Sequence, residues 1–447
     1  MSSAAALLEC DLLVIGAGMA GLSAAGWAAE RGARVVVVER GPAIGGSAVL
    51  SSGMVWTATS PERMALYGGG DPALGAAILE TYPSAIAWLR QRGVALSEAM
   101  PVLNGRGYQI DIIEHLQGCA RLVEQHGGAV ALETEIVALD LDKAGTVSGA
   151  LARHADGDIA ISARATLLAS GGFQASPEMR ARQIHPNTRE MRLRSNPCSD
   201  GTGIRLGLSV GAATDSTNPG FYGHLVSESA EWGLERHFAG LSQYHSDHTL
   251  LINEDGQRFC DESRGDHAST NAVVAQPGSR AICFWDDRVH QAYATQGVVA
   301  AMPPIDKMQV ALENGGKGIV TASLDEVANF AGSQGFDGAA VVRTIGDFNE
   351  RARHGWETLL PPRSETCLPL DRAPFYALVV HPAITFTYGG LVIDRDARVL
   401  DRDGQPIPGL FAAGGDAGGV YRSGYCGGLS MAMTLGLRAV IAAGWHG

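Results

Sequence analysis

The sequence predicts an α/β protein in which a discontinuous Rossmann-like dinucleotide-binding domain carries an inserted α+β domain. Three observations point there. From Cys10 to Arg40 a strand, a glycine turn, a helix and a second strand follow one another, the order of a βαβ unit. From about Pro219 to Ala373 that rhythm is absent; the patterning is mixed and polar, and seven of the thirteen histidines fall there. Short apolar strands and glycine turns then return and end in an apolar helix. The expected boundaries are 1–218 and 377–447 for the dinucleotide domain and 219–376 for the insert.

The elements justify themselves in order. DLLVIG is a buried apolar run, GAGMAG the turn, LSAAGWAAERG an Ala-rich helix and ARVVVVER the second strand. A helix is expected around Ala76 to Gln91, and strands near Ala129 to Leu141 and Thr146 to His154, with Thr134 to Ala138 beneath a bound base. ATLLASGGF reads as a parallel strand whose glycine end lies close to a dinucleotide, where a side chain would not fit. After the insert, YALVVHPAITFTYGGLVIDRDARVL and PGLFAAGGDAGG supply short strands and turns, and SMAMTLGLRAVIAAG closes the chain as a helix.

Composition narrows the class. With 447 residues and 46% hydrophobic content the chain can bury a large core. A net charge of -13 argues against a general nucleic-acid binder, which needs clustered Lys and Arg. The seven dispersed cysteines contain no C-x-x-C, so neither a disulfide framework nor a metal site is expected. MSSAAALLECD has no basic region before its short apolar stretch and no span reaches transmembrane length, so a cytoplasmic protein is expected.

The glycine turn carries the first chemistry. Gly16, Gly18 and Gly21, with Met19 and Ala20 between them, form G-x-G-x-x-G between a strand and a helix, where pyrophosphate oxygens meet backbone N–H groups at the helix's positive end. Glu39, eighteen residues beyond Gly21, is placed to accept ribose hydroxyls, with Arg40 beside it. Nicotinamide and flavin dinucleotides share this fingerprint. The next segment separates them: RGPAIGGSAVLSSG adds a second close-approach turn at Gly45, Gly46 and Ser47, followed by Ser52 and Gly53, backbone contact that a bulky, resident flavin demands. FAD is therefore the expected cofactor. Further contacts are expected from Ile136 and Val137, from Ser170, Gly171 and Gly172, from Asp200, and from Gly390, Gly415, Asp416, Gly428, Leu429 and Ser430. The start of the closing helix suits the flavin edge where negative charge gathers on reduction.

Taken together, ERGPAIGGSAVLSSG, SDGTGIRLGLSVGAA, INEDGQRFCDES, TFTYGGLVID and PGLFAAGGDAGG resemble the fumarate reductase / succinate dehydrogenase flavoprotein superfamily, in the right order from about Asp11 to Ala443. That superfamily includes soluble fumarate and urocanate reductases, tricarballylate dehydrogenase and 3-ketosteroid Δ1-dehydrogenases. The resemblance implies an FAD-binding domain with an inserted capping or substrate domain, and hydride exchange between flavin N5 and one carbon of a C–C bond. It implies a small substrate, anionic or carbonyl-bearing, and an electron donor or acceptor that the sequence does not identify.

The match is uneven at the catalytic positions. A fumarate reductase has His before the Thr of H-T-x-G-G; here Phe386 stands there, as packing or as pocket wall, and an aromatic residue at this point is closer to tricarballylate dehydrogenase. Arg264 follows Arg258-Phe259-Cys260-Asp261-Glu262 too early to match the family's proton-donating Arg. His224 and Arg422 match the positions of a substrate-binding His and a carboxylate-binding Arg, and Asp416 that of an acid holding the ribityl chain. In the ketosteroid dehydrogenases a ketone-polarising Tyr replaces Arg422, and Tyr425 and Tyr388 remain as nearby phenols. The resemblance favours an oxidoreductase acting on a C–C bond activated by a carbonyl or carboxylate. A 3-ketosteroid Δ1-dehydrogenase-type activity, a flavin amine oxidase or monooxygenase, and a non-catalytic electron-transfer flavoprotein remain as alternatives.

Overall fold

The computed structural model describes residues 6–215, 219–228, 233, 237–297, 304–365 and 367–446. The chain divides into two compact units, one made of Met1–Ile184, Ser195–Phe221 and Phe386–Gly447, the other of His185–Arg194 and Tyr222–Thr385.

The first unit is built on strand Ala6–Ile15, whose Leu12, Leu13, Val14 and Ile15 are buried because parallel neighbours and helices enclose it. It pairs in parallel with Val35–Val38 on one side and Gly157–Leu168 on the other. The parallel order extends to Ala129–Ala131 and to Pro406–Ala412, with Arg398–Leu400 antiparallel at the edge. Val147–His154 and Glu135–Leu141 continue as an antiparallel ribbon from Gly157–Leu168. Helix Met19–Ala29 is buried on all sides, which explains its Ala and Gly content: it packs against both the closing helix Gly428–Ala442 and helix Ile112–Gln125. Helix Pro72–Gln91 begins earlier than the periodicity alone suggests, because Asp71 caps the Ala73 N–H and Pro72 occupies the first turn. A small antiparallel sheet joins Met54–Ala58, Gly105–Gln109 and Met100–Val102.

The second unit has Phe375–Thr387 as its central strand. Ala281–Asp286 and Gly318–Thr321 pair with it antiparallel, Arg192–Leu193 pairs parallel, and Phe221–Ser227 joins the same strand; Leu250–Ile252 lies beyond Ala281–Asp286. Its core centres on fully buried Phe284 and Trp285, closed by helices Leu324–Ser333 and Gly338–His354. Pairing explains where the units depart from the expected boundaries at 219 and 376. Residues up to Thr385 stay with the second sheet because their strand is hydrogen-bonded there, and His185–Arg194 joins it through Arg192–Leu193. Residue 218, the expected edge of the first segment, lies outside the described residues.

The turn after the first strand shows why glycine is required. Gly16 has φ 108°, and a Cβ there would stand 2.3 Å from the Ala169 carbonyl oxygen. A Cβ on Gly21 would stand 2.0 Å from the Gly16 carbonyl oxygen, so helix and strand can approach only with glycine at this position. Gly21→Ala is expected to destabilise the first unit by about 1–3 kcal/mol, read as a lower urea midpoint; an unchanged midpoint would contradict this packing.

Candidate functional site

In the first unit a cleft opens beside the end of the first strand, lined by Gly16, Glu39, Arg40, Thr134, Ile136, Ser170, Cys198 and Thr202 among others. Helix Met19–Ala29 starts at Gly18 with no side chain capping it and no acidic residue in its first turn, so its N-terminal N–H groups are left for a ligand. A Cβ on Gly18 would meet nothing nearer than the Gly45 carbonyl oxygen at 3.9 Å. The space above the turn is thus open to a pyrophosphate, with Met19 and Ala20 forming the start of the helix.

Glu39 is buried and fixed from both sides: Oε2 accepts the Ala17 N–H at 2.9 Å and Oε1 the Gly41 N–H at 2.7 Å. Each carboxylate oxygen retains acceptor capacity for a ribose hydroxyl. The Gly45 N–H reaches the Ala17 carbonyl at 2.8 Å, which brings the Gly45, Gly46 and Ser47 turn against the first one. Ser47 shares a 2.6 Å hydrogen bond with Ser195 and accepts the Asn196 N–H at 3.0 Å. The Ser52 carbonyl accepts from Gln109 at 3.1 Å and the Gly53 carbonyl from the Ile110 N–H at 3.0 Å. Ile136 is buried in the cleft wall, and the strand register shifts across Val137, making it the extra residue of a bulge.

Two predicted contacts are engaged within the protein. Arg40 donates to Asp200 at 3.0 Å and to the Cys198 carbonyl at 2.5 Å. Burial pushes the Asp200 carboxyl up, but hydrogen bonds from Arg40 and Thr202 outweigh it and hold the carboxyl below its ordinary range. The pair braces the cleft wall, which the sequence reading, with both residues as direct cofactor contacts, did not foresee.

Asp416 is fully buried and joins the glycine end of Gly157–Leu168 to the returning C-terminal segment. Its carboxylate accepts the Ser170 N–H at 2.5 Å, the Ser170 hydroxyl at 3.1 Å and the Gly172 N–H at 3.0 Å. Burial raises its pKa and these hydrogen bonds oppose the rise. The oxygens expected on a ribityl chain are therefore bound to backbone, and Asp416 shapes the Gly171, Gly172 and Gly415 turns. Gly390 belongs to the short strand Gly390–Leu391 beside Thr214–Asp215.

The closing helix begins at Gly427 with no side-chain cap. The Gly428 N–H donates to the Tyr425 hydroxyl at 2.8 Å, Leu429 is half-buried, and the Ser430 hydroxyl turns inward to the Trp56 carbonyl. Ser430 thus anchors the helix with its hydroxyl. Around this end stand Tyr388, buried, and Arg422, exposed, whose Nη2 lies 3.0 and 3.2 Å from the two oxygens of Asp215.

The remaining two predicted catalytic residues lie in the second unit. His224 is buried; its Nδ1 is hydrogen-bonded to Asp266, and Tyr222 and Tyr244 stand edge-on to its ring at 4.8 and 4.6 Å. Burial lowers the His224 pKa, partly offset by the Asp266 charge. Arg264, by contrast, is exposed at the end of the short turn Glu262–Arg264. The sequence reading missed Asp266, forty-two residues from His224, and Arg194, which is fully buried and donates to Thr385, the Phe238 carbonyl and Tyr244. The segment carrying Asp266 is held by buried Glu262, clamped between Arg258 at 2.7 Å and Arg363 at 3.2 Å. Among the described residues no cluster suited to a metal ion occurs, and no helix is long and apolar enough to cross a membrane.

The chain matches the FAD binding domain family over residues 11–430. It is 26% identical to a probable fumarate reductase of Shewanella frigidimarina, across 95% of this chain and 73% of that protein. It is 29% identical to urocanate reductase of Eggerthella lenta, across 94% of this chain and 72% of that one. In fold it is similar to 3-ketosteroid-Δ4-(5α)-dehydrogenase from Rhodococcus jostii RHA1, with a TM-score of 0.76 at 22% identity over 98% and 97% of the two chains.

The electrostatics around Asp266 yield a pH prediction. Burial, reinforced by the Asp266 charge, pushes the Asp247 carboxyl up to about 7. Between the ordinary carboxylate range and that value the folded chain holds a proton that the unfolded chain releases, so stability falls as pH rises through the window. Asp247→Asn removes this contribution, so the stability lost between about pH 5 and about pH 8 shrinks in urea unfolding; an undiminished loss would contradict the assignment.

Proposed function

The chain belongs to the FAD binding domain family of flavoproteins and is an FAD-dependent oxidoreductase acting on CH–CH groups, and from that premise we propose that its substrate is a small molecule whose reacting C–C bond adjoins a carboxylate or carbonyl. When bound, FAD accepts or donates the hydride at N5. The observation that carries the proposal is the buried His224–Asp266 pair. With Nδ1 committed to Asp266, Nε2 is the nitrogen that meets a substrate oxygen, and the fixed ring pays little entropy on doing so.

The proton at the neighbouring carbon is assigned to Tyr425. Its hydroxyl oxygen accepts the Gly428 N–H at the start of a fifteen-residue helix. That arrangement stabilises negative charge on the oxygen, so the phenol can release its own proton and recover it. Arg264 is not assigned this step, because its side chain is exposed at the end of the turn Glu262–Arg264. Arg422 is assigned to an anionic substrate group, its charge tempered by Asp215. The resemblance of this chain to fumarate and urocanate reductases supports a substrate of this chemical kind.

Anaerobic mixing of the photoreduced holoenzyme with unsaturated acids and enones is expected to reoxidise the flavin, followed by its absorbance. His224→Ala and Tyr425→Phe are each expected to keep FAD and to slow that reoxidation by about 100-fold or more. Indifference of the reduced enzyme to every such acceptor, with oxygen-dependent product or peroxide formed from amines, would overturn the proposal.

A further inference from the structure

We propose that Tyr244 and Thr385 are a pair of hydrogen-bond donors for one oxygen of the substrate's activating carboxylate or carbonyl, held in place by the buried guanidinium of Arg194. This rests on the CH–CH reading above and assigns that oxygen to residues of the second unit beside His224.

Arg194 is a charge without a counter-charge. It is fully buried, yet among the described residues no carboxylate stands within ion-pair distance of it, whereas Arg258 and Arg363 of the same unit are both paired with Glu262. Its N–H groups go to neutral acceptors. Nη1 donates to the Thr385 hydroxyl at 2.7 Å, and Nη2 to the Phe238 carbonyl at 2.7 Å and to the Tyr244 hydroxyl at 3.0 Å. The guanidinium also lies over the Phe238 ring, 4.0 Å from its centroid, and among the described residues its Nε has no partner. Buried charge is costly unless an opposite charge accompanies it. An anion brought to the two hydroxyls supplies the one that Arg194 lacks.

The direction of these hydrogen bonds decides what the two hydroxyls can do. A guanidinium only donates, so Tyr244 and Thr385 accept from it and each keeps an O–H proton for another partner. Neither proton finds an acceptor among the described residues, and both side chains are half-buried while Arg194 is fully enclosed. The Tyr244 ring stands edge-on to His224 at 4.6 Å, so the donors border the histidine assigned to the substrate. Burial lowers the pKa of that histidine, the Asp266 charge opposes the fall and the Arg194 charge adds to it, so the field of Arg194 reaches the ring. Asp266, the acid of this cluster, is itself bound to His224 Nδ1. When hydride adds to the far carbon of a C=C bond next to a carbonyl or carboxylate, the electron pair moves onto that group's oxygen; it returns as the near carbon takes its proton. Two fixed donors with a cation behind them are in place before that charge develops, and they favour the charged state over the ground state.

The test mixes photoreduced holoenzyme anaerobically with fumarate, crotonate, cinnamate and cyclohexenone, and follows flavin absorbance in each variant with the acceptor that wild type uses fastest. Tyr244→Phe and Thr385→Val, each checked for full FAD content, are expected to slow reoxidation at saturating acceptor by about tenfold or more. Thr385→Ser keeps the hydroxyl and loses the methyl, so it is expected to slow the step by less than about threefold. Arg194→Lys keeps the charge but not the planar fork; it is expected to slow wild type about tenfold and the Tyr244→Phe, Thr385→Val double variant less than about twofold, because Arg194 acts through those hydroxyls. Wild-type rates in Tyr244→Phe or Thr385→Val, Thr385→Ser as slow as Thr385→Val, or equal slowing by Arg194→Lys in both backgrounds would overturn the proposal and leave the CH–CH reading standing. If no acceptor reoxidises the flavin, the CH–CH reading fails, and calorimetric titration of oxidised holoenzyme with benzoate decides the donor pair alone. Affinity lowered about tenfold by Thr385→Val and not by Thr385→Ser supports it, whereas unchanged affinity or no binding overturns it.

Discussion

The first unit depends on the carboxylate of Asp416. It lies 246 residues beyond Ser170 in sequence, yet it accepts the Ser170 and Gly172 N–H groups and the Ser170 hydroxyl in a fully buried position. Hydrogen bonds to a buried carboxylate are among the stronger ones in a protein, and they are expensive to leave unmade. This one joins the end of a parallel strand to the returning C-terminal segment. It therefore sets where the glycine turns at 171, 172 and 415 stand, and with them the wall of the cleft that Ser170 lines. Glu39 does the same at the other wall, tying Ala17 to Gly41. In both places an acid organises the glycine-rich backbone around it.

The second unit applies buried charge differently. Glu262 between Arg258 and Arg363 is a buried ion cluster of one carboxylate and two guanidinium groups, weak as a source of stability but specific as a positioning device. It fixes the segment leading to Asp266, which in turn fixes His224. Asp247 stands in the same field and carries the consequence, a carboxyl held protonated up to about 7. The His224 ring and the Asp247 carboxyl share one cause for their displaced pKa values, burial away from solvent; the Asp266 charge opposes it at His224 and adds to it at Asp247.

What the sequence disclosed follows from how local each interaction is. The strand, turn and helix through Gly16, Gly18 and Gly21 were legible because the demand for glycine arises within six residues. The FAD assignment was legible for the same reason, from the second turn at Gly45 and Gly46. The Asp266 partner of His224 and the Asp215 partner of Arg422 were not, since nothing near either residue in sequence marks them. Arg40 and Asp200 read as cofactor contacts because each sits in a cofactor motif; only the fold shows them spending their charge on one another. Residues 377–385 read as part of the dinucleotide domain because a short apolar strand has no label for the sheet it joins.

Binding of FAD to the apoprotein of Asp416→Asn, beside wild type of the same secondary-structure content, tests the central claim most directly. Losing a charged acceptor for three donors is worth about 3 kcal/mol or more, so affinity for FAD is expected to fall by about 100-fold or more. Wild-type affinity in the variant would contradict the account, because the glycine turns would then hold their places without the carboxylate that joins them.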